Sequence, residues 1–305
     1  MQIFIQTVVN GLTTGSLYAL IALGYTMVYG VLKLLNFAHG DLFMVGAFIG
    51  YFAIGWFGGA TSLAVPAAVL VVFMLVVASF AVGVLGMAIE RFAYRPLRDA
   101  PRIVPLITAL GVSFVLENTV LLFFGGLTKY YNTPAFIPFS VSVHVDHVSI
   151  GIIQILIVAL SVLMMVVLMA LVSRTLLGKS MRAVASDREA AEMLGINVNR
   201  TIAMTFFIGS AFAGVAGVMY GLYANQVSNT IGFLAGLKAF TAAVVGGIGS
   251  VPGAMIGGVF IGLCESFTLS YVSTRYGDLI VFGILIVVLL IRPTGIFKQT
   301  TLQKV

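Results

Sequence analysis

SRTLLGKSMRAVASDREAAEMLGINVNR, residues 173–200, is an island of charge in an oily chain. It holds eight of the 16 Lys and Arg and 10 Asp and Glu in a protein of 305 residues. Apolar runs flank it on both sides, at roughly 149–172 and 201–223, each long enough to cross a ~30 Å hydrocarbon layer as a helix of ~20 residues. The pattern repeats outward in both directions. The chain is 60% hydrophobic and 9% charged, where a soluble domain carries about 25% charge. An all-α, polytopic bundle of membrane helices is therefore expected, as a single transmembrane domain over 1–305.

Nine spans are expected (range eight to ten), at roughly 8–31, 42–58, 64–89, 103–124, 149–172, 201–223, 233–247, 254–273 and 279–291. Basic residues decide the sides. Of 16 Lys and Arg, 13 are Lys33 or fall in residues 90–102, in 173–200 or in the tail from Arg292. This asymmetry puts the island inside, the N-terminus outside and the C-terminus inside. It also accounts for the net charge of +6 without nucleic acid. The first 32 residues hold no Lys or Arg, so no cleavable signal peptide is expected. The single cysteine, Cys264, excludes an intrachain disulfide and a Cys-rich metal site.

Within the island, an arm is expected to lead into a short amphipathic helix from Ser186 to Leu194. Ser186 reads as its N-cap, with Asp187 and Glu189 in the first turn and a capping box in Ser186-x-x-Glu189. Gly195 is placed to end it. A charged helix former between membrane spans has a use if something in the water reads it. Arg182, Ser186, Asp187, Glu189, Ala190, Ala191 and Gly195 are thus candidates for docking a cytoplasmic partner.

Two breaks interrupt the spans, LNFAHGD at 35–41 and GGIGSVPG at 246–253. Unwound backbone at membrane depth survives only where protein or a water-filled cavity satisfies it. Asn36, His39 and Asp41, with Gly246, Gly247 and Gly249, are candidates for a translocation path. Plain turns at helix ends are the alternative. Glu117, Lys238 and Glu265 are ionisable groups inside spans, where charge is costly and usually partnered. Lys238 and Glu265 lie on consecutive spans and are placed to pair. Five G-x-x-x-G pairs, Gly46/Gly50, Gly217/Gly221, Gly232/Gly236, Gly253/Gly257 and Gly258/Gly262, fit close helix packing. GAFIG at 46–50 and GVFIG at 258–262 hint at an internal repeat.

Several chemistries are not expected. Gly178-Lys179-Ser180 ends like a phosphate loop, but position 173 is serine where that motif needs glycine, so ATP should not bind here. His144, Asp146 and His147 have no further ligands beside them. No catalytic set stands at motif spacing. Neither enzyme activity nor a metal or cofactor on this chain is expected.

Glu189-Ala190-Ala191-x-x-x-Gly195 matches the EAA-x-x-x-G signature of ABC-importer membrane subunits, without its I-x-L-P ending. Together with NFAHGD at 36–41, ERFAYRPLR at 90–98, LGINVNR at 194–200, KAFTAAVVGGIGSVPGAMIGG at 238–258 and RPTGIF at 292–297, it makes the chain resemble the branched-chain amino acid permease family, of the H-type Liv high-affinity kind. The resemblance runs from Gly11 to Gly295. It implies a complex in a bacterial inner membrane: this subunit, a second homologous permease and two cytoplasmic ATP-binding subunits. An extracytoplasmic binding protein would deliver leucine, isoleucine or valine. Relatives in the wider family imply urea, amides or other amino acids as rival cargoes. From other classes, a stand-alone channel or an integral-membrane enzyme remain to be weighed.

Overall fold

Helices meet most closely in this protein where side chains are smallest. The structure is a computed structural model that describes residues 2–56, 67–98, 100–101, 103–133, 142–145 and 148–297. Helix α1 (Gln2–Leu32) runs antiparallel to α10 (Val251–Tyr271). A Cβ on Gly258 would lie 2.6 Å from Ala19 Cα, and one on Gly262 2.2 Å from Gly15 Cα. Farther along the pair, the Ser266 hydroxyl donates to the Thr7 carbonyl at 2.9 Å. No hydrophobic force draws helices together in lipid, so close van der Waals contact of this kind holds them.

Helix α8 (Val198–Ala224) takes the centre beside α1. Its Gly214 meets Gly46 of α2 (His39–Trp56) and the Ala78 carbonyl of α3 (Ala67–Ile89). Around this core stand α4 (Ile103–Phe124), α5 (Ile152–Arg174), α9 (Ile231–Gly246) and α11 (Gly277–Ile291). Among the described residues each of the nine expected spans contains a helix, α1 to α5 and α8 to α11. Among the described residues, seven helices are long and apolar enough to cross a membrane, and α9 is a shorter apolar helix.

Three expectations about the connections are corrected. Residues 90–98 are not a loop: α3 continues through a π turn (Glu90–Tyr94) and a 3-10 turn (Arg95–Leu97). The arm after α5 is itself a helix, α6 (Leu176–Ser186), followed by α7 (Arg188–Met193). The long loop expected at 125–148 carries short strands. Strand β1 (Lys129–Tyr130) pairs antiparallel with β4 (Gln226–Val227), and β2 (Ser142–Val145) with β3 (Val148–Gly151).

Between β1 and the bundle, Tyr131 inserts its ring and donates its hydroxyl to the Ala47 carbonyl. A Cβ on Gly221 would fall 2.1 Å from Tyr131 Cζ, and one on Gly50 2.6 Å from its hydroxyl oxygen. These two glycines therefore make room for a tyrosine and not for another helix backbone.

Candidate functional site

Thr175 caps α6 by accepting from the Gly178 N–H at 3.0 Å. A Cβ at Gly178 would lie 2.3 Å from the carbonyls of Leu171 and Val172, so glycine is what lets α6 fold back onto the end of α5. Arg182 reinforces this corner by donating to the Val172 carbonyl. Met181 and Val184 are buried beneath α6.

The start of α7 differs from expectation. Asp187 is its N-cap, accepting from the Ala190 N–H at 3.1 Å, and Ser186 is the last residue of α6. The Asp187 N–H still bonds the Ala183 carbonyl at 3.0 Å, which holds Ser186 helical and hands the cap to the next residue. The capping box of Ser186 with Glu189 does not form. At the other end Gly195 takes φ +80°. The Gly195 N–H reaches the Glu192 carbonyl and the Ile196 N–H the Ala191 carbonyl, the bond pair by which a left-handed glycine closes a helix.

Of the α7 residues only Ala191 is buried. Glu189, Ala190 and Glu192 are exposed. Beside them Met193 is 86% and Leu194 80% exposed. Two bare apolar side chains next to two acids suit a protein partner better than water.

Immediately behind α7, Asn199 on the first turns of α8 gathers the α3 extension. Its Oδ1 accepts from Arg95 Nε at 3.1 Å and from Arg98 Nη1 at 2.7 Å. Arg98 also pairs with the buried Glu90. Tyr94, on the same π turn, donates to Asn36 Oδ1 at 2.7 Å. The two sets of contacts, Asn199 with Arg95 and Arg98 and Tyr94 with Asn36, are carried by one short stretch of backbone, the turns Glu90–Leu97.

At that break the chain re-enters the bundle. Lys33, at φ +56°, ends α1. By His39 the chain is packed on Gly24, where a Cβ would lie 2.2 Å from His39 Nε2. Gly24 is about 12 Å back along α1 from Leu32 at 1.5 Å per residue. Asn36, His39 and Asp41 are all buried, which rules out a plain surface turn. Ser113 of α4 donates to Asp41 Oδ2. The first turns of α2 and α9 abut here: a Cβ on Gly40 would lie 2.3 Å from the Gly232 carbonyl oxygen, and one on Gly232 2.7 Å from Asp41 Oδ1. Two helix N-termini thus meet at one buried carboxylate.

The second break lies at the opposite end of α9, so the structure does not gather the six path candidates into one site. Gly247 (φ +101°) and Gly249 (φ +96°) shape a tight turn, and Ser250 caps α10 on the Gly253 N–H at 3.2 Å. The segment RPTGIF folds onto this turn. Ile296 and Phe297 give their N–H groups to the carbonyls of Val245 and Gly246, at 2.9 and 3.2 Å. The end of α9 is thereby satisfied within the protein.

Lys238 and Glu265 do pair, at 2.6 Å. Tyr18 donates to the other Glu265 oxygen at 2.7 Å, and Asp278 of α11 adds a second carboxylate to Lys238 at 2.7 Å. Beside this cluster lies a cavity of about 280 Å³. Its apolar walls include Leu17, Ile21, Phe43, Ile231 and Leu234, and its polar elements are Thr14, Thr230, Lys238 and the tyrosines Tyr18, Tyr220 and Tyr223. Glu117 stands apart, half-buried on α4 one turn from Ser113.

Residues 7–289 match the family described as the permease component of branched-chain amino acid transport systems. The chain belongs to that family. The permease is 45% identical to the high-affinity branched-chain amino acid transport permease protein BraD of Pseudomonas aeruginosa, over 99% of this chain and 98% of that protein. To LivH of Escherichia coli K12, a permease protein with the same description, it is 42% identical over the same shares. The probable branched-chain amino acid transport permease protein LivH of Methanocaldococcus jannaschii is 29% identical, over 92% of this chain and 88% of that protein. No solved structure matches.

Apart from Gly246, Gly247 and Gly249 at the second break and Glu117 on α4, the sequence-named residues of this permease fall into three places. Asp187, Glu189, Ala190, Ala191 and Gly195 build α7, while Arg182 and Ser186 belong to the helix before it. Asn36, His39 and Asp41 form the re-entrant break, and Lys238 and Glu265 belong to the ion cluster. Of the histidine pair outside the spans, His147, with Asp146 between, lies outside the described residues. Among the described residues no group of three metal-capable side chains occurs. Reading the sequence alone missed Glu90, Tyr94, Arg98 and Asn199. The one signal is Glu90 standing among arginines. Met193 and Leu194 were missed because apolar residues draw no notice in an apolar chain.

Proposed function

We propose that this permease is the membrane-spanning subunit of an ATP-driven ABC importer for branched-chain amino acids. It works as a heterodimer with a second permease, above two cytoplasmic ATP-binding subunits, and receives cargo from an extracytoplasmic binding protein. It sits in the bacterial inner membrane with its N-terminus outside and α7 inside.

One observation supports this reading: α7 is bare on one face and leads directly into α8, whose Asn199 holds the α3 extension that also carries Tyr94 and its bond to Asn36. Closure of the ATPases on ATP presses on Glu189, Met193 and Leu194. Helix α8 follows that element directly and α5 reaches it through α6, and both move as levers. Coupling is then a difference in contact energy between outward- and inward-facing states. No chemical step on this chain is involved.

The cavity beside Lys238 supports an amino acid as cargo. At about 280 Å³ it is at the small end of the ~300–1,000 Å³ range of ligand pockets. Its aliphatic and aromatic walls favour a branched apolar side chain over urea or a small amide, and Lys238 and the tyrosines offer a polar end.

The test is leucine uptake by the complete complex in proteoliposomes. Glu189→Lys should abolish uptake while the amount inserted in the membrane stays at the wild-type level. Uptake at the wild-type rate by this variant would overturn the docking role, and ATP-independent leucine flux through the chain alone would favour a channel.

A further inference from the structure

Along the middle of three outward-facing helices the exposed side chains are apolar. They include Val76 and Phe80 on α3, Leu163 and Val167 on α5, and Ile286 and Leu290 on α11. Helix α4 differs. Gly111, Phe114, Val115, Asn118, Thr119 and Leu122 are exposed at spacings of three and four, so they form one stripe along the helix. Asn118 and Thr119 are polar and lie inside the span, about 9 and about 7.5 Å from the Phe124 end at 1.5 Å per residue. Neither side chain is long enough to reach water from there. Asn118 donates to its own helix, to the Phe114 carbonyl at 2.8 Å, which leaves the rest of the amide to be matched. Half-buried Glu117 adds an ionisable group beside it.

Gly111 is the second, independent observation. Most core glycines of this permease meet backbone or a ring where a Cβ would stand, but at exposed Gly111, as at half-buried Gly283 of α11, there is nothing within 4 Å, and only the Gly111 stripe also carries an exposed amide. No contact within the chain requires a glycine there. A small residue on an outer face lets another helix backbone approach closely, and an asparagine one to two turns along supplies an interhelical hydrogen bond.

The geometry points to this α4 stripe as the seat of the second permease subunit. That subunit contributes a helix that crosses at Gly111 and places a hydrogen-bonding side chain opposite Asn118. The inference rests on the heterodimer reading above and adds which face of this subunit is covered. Lipid is the wrong occupant at this depth, because acyl chains cannot bond an amide.

The test uses the complete complex with a photo-crosslinking residue at Val115, at Val76 or at Leu163. The expected result is an adduct with the mass of both permeases from position 115 and none from positions 76 and 163. Gly111→Phe should lower co-purification of the second permease about 3- to 10-fold, the size of one interhelical contact. Leu163→Phe should leave it unchanged, and membrane levels of both variants should equal wild type. An adduct between two copies of this chain from position 115, a heterodimer adduct only from 76 or 163, or unchanged co-purification of Gly111→Phe overturns the assignment of this face. If the wild-type complex contains no second permease at all, the heterodimer reading itself fails.

Discussion

The Tyr94 hydroxyl donates to Asn36 Oδ1 at 2.7 Å, tying the turn that ends α3 to the unwound segment ahead of α2. Both groups are buried. A wide π turn sets the tyrosine's reach, and such turns inside helices are frequent at functional sites.

Tyr94→Phe removes this bond and leaves the ring. Stability should fall by about 1 kcal/mol, the net worth of an ordinary hydrogen bond. Transport should fall further than stability does, because the link between the foot of α8 and the break is cut. The check is the ratio of leucine taken up to ATP hydrolysed in reconstituted complexes. A ratio equal to wild type would show that Tyr94 only holds the fold together.

The cap of α7 can be assigned by substitution. Asp187→Ala should destabilise α7 by about 1 kcal/mol, while Ser186→Ala should be nearly silent. Hydrogen exchange of the amides at 188–193 reads this directly, with faster exchange expected only in the aspartate variant. Equal acceleration by both substitutions would restore Ser186 as the cap.

Removing one member of a buried ion pair strands the other. Lys238→Met leaves Glu265, which is 6% exposed, with Tyr18 as its remaining partner, and should cost about 3–5 kcal/mol. Combining it with Glu265→Gln should recover most of that loss. Neutral replacements are preferable to exchanged charges, since a glutamate at 238 would face Asp278. Thermal unfolding of the purified complex measures all three variants. A double variant no better than Lys238→Met alone would argue against the pair as a unit.

Gly221→Ala puts a methyl group into the space held by the Tyr131 ring. Overpacking of this sort costs about 1–3 kcal/mol. Tyr131→Ala in the same chain should relieve part of it, so the two losses should not add. Gly55→Ala, where nothing lies within 4 Å, is the matched control. Additive losses would mean the ring and the glycine do not compete for the same space.

The spans were legible because hydropathy over 20 residues needs no tertiary information. The first break was legible for a related reason: Asn36, His39 and Asp41 are polar in a place where polarity is costly. What escaped was set by packing. ERFAYRPL reads as a charged loop, yet Glu90 is neutralised by Arg98 and the helix continues through it. Ser186 and Asp187 are both good caps, and only the hydrogen bond from Asp187 back to Ala183 chooses between them. The role of RPTGIF was invisible, since nothing local says that Ile296 and Phe297 would close the far end of α9. Gly50 and Gly221 matched a helix-packing motif and serve a tyrosine.

The pairing of α1 with α10 has a consequence for biosynthesis. The first helix made finds its main partner only after six other spans, α2 to α5, α8 and α9, have been made. Until then Gly15, Ala19 and the polar Thr13 and Ser16, all buried at the end, face either lipid or a temporary companion. Assembly of this permease is therefore dominated by contacts distant in sequence, the slow kind, and its earliest segment needs shelter for the longest time.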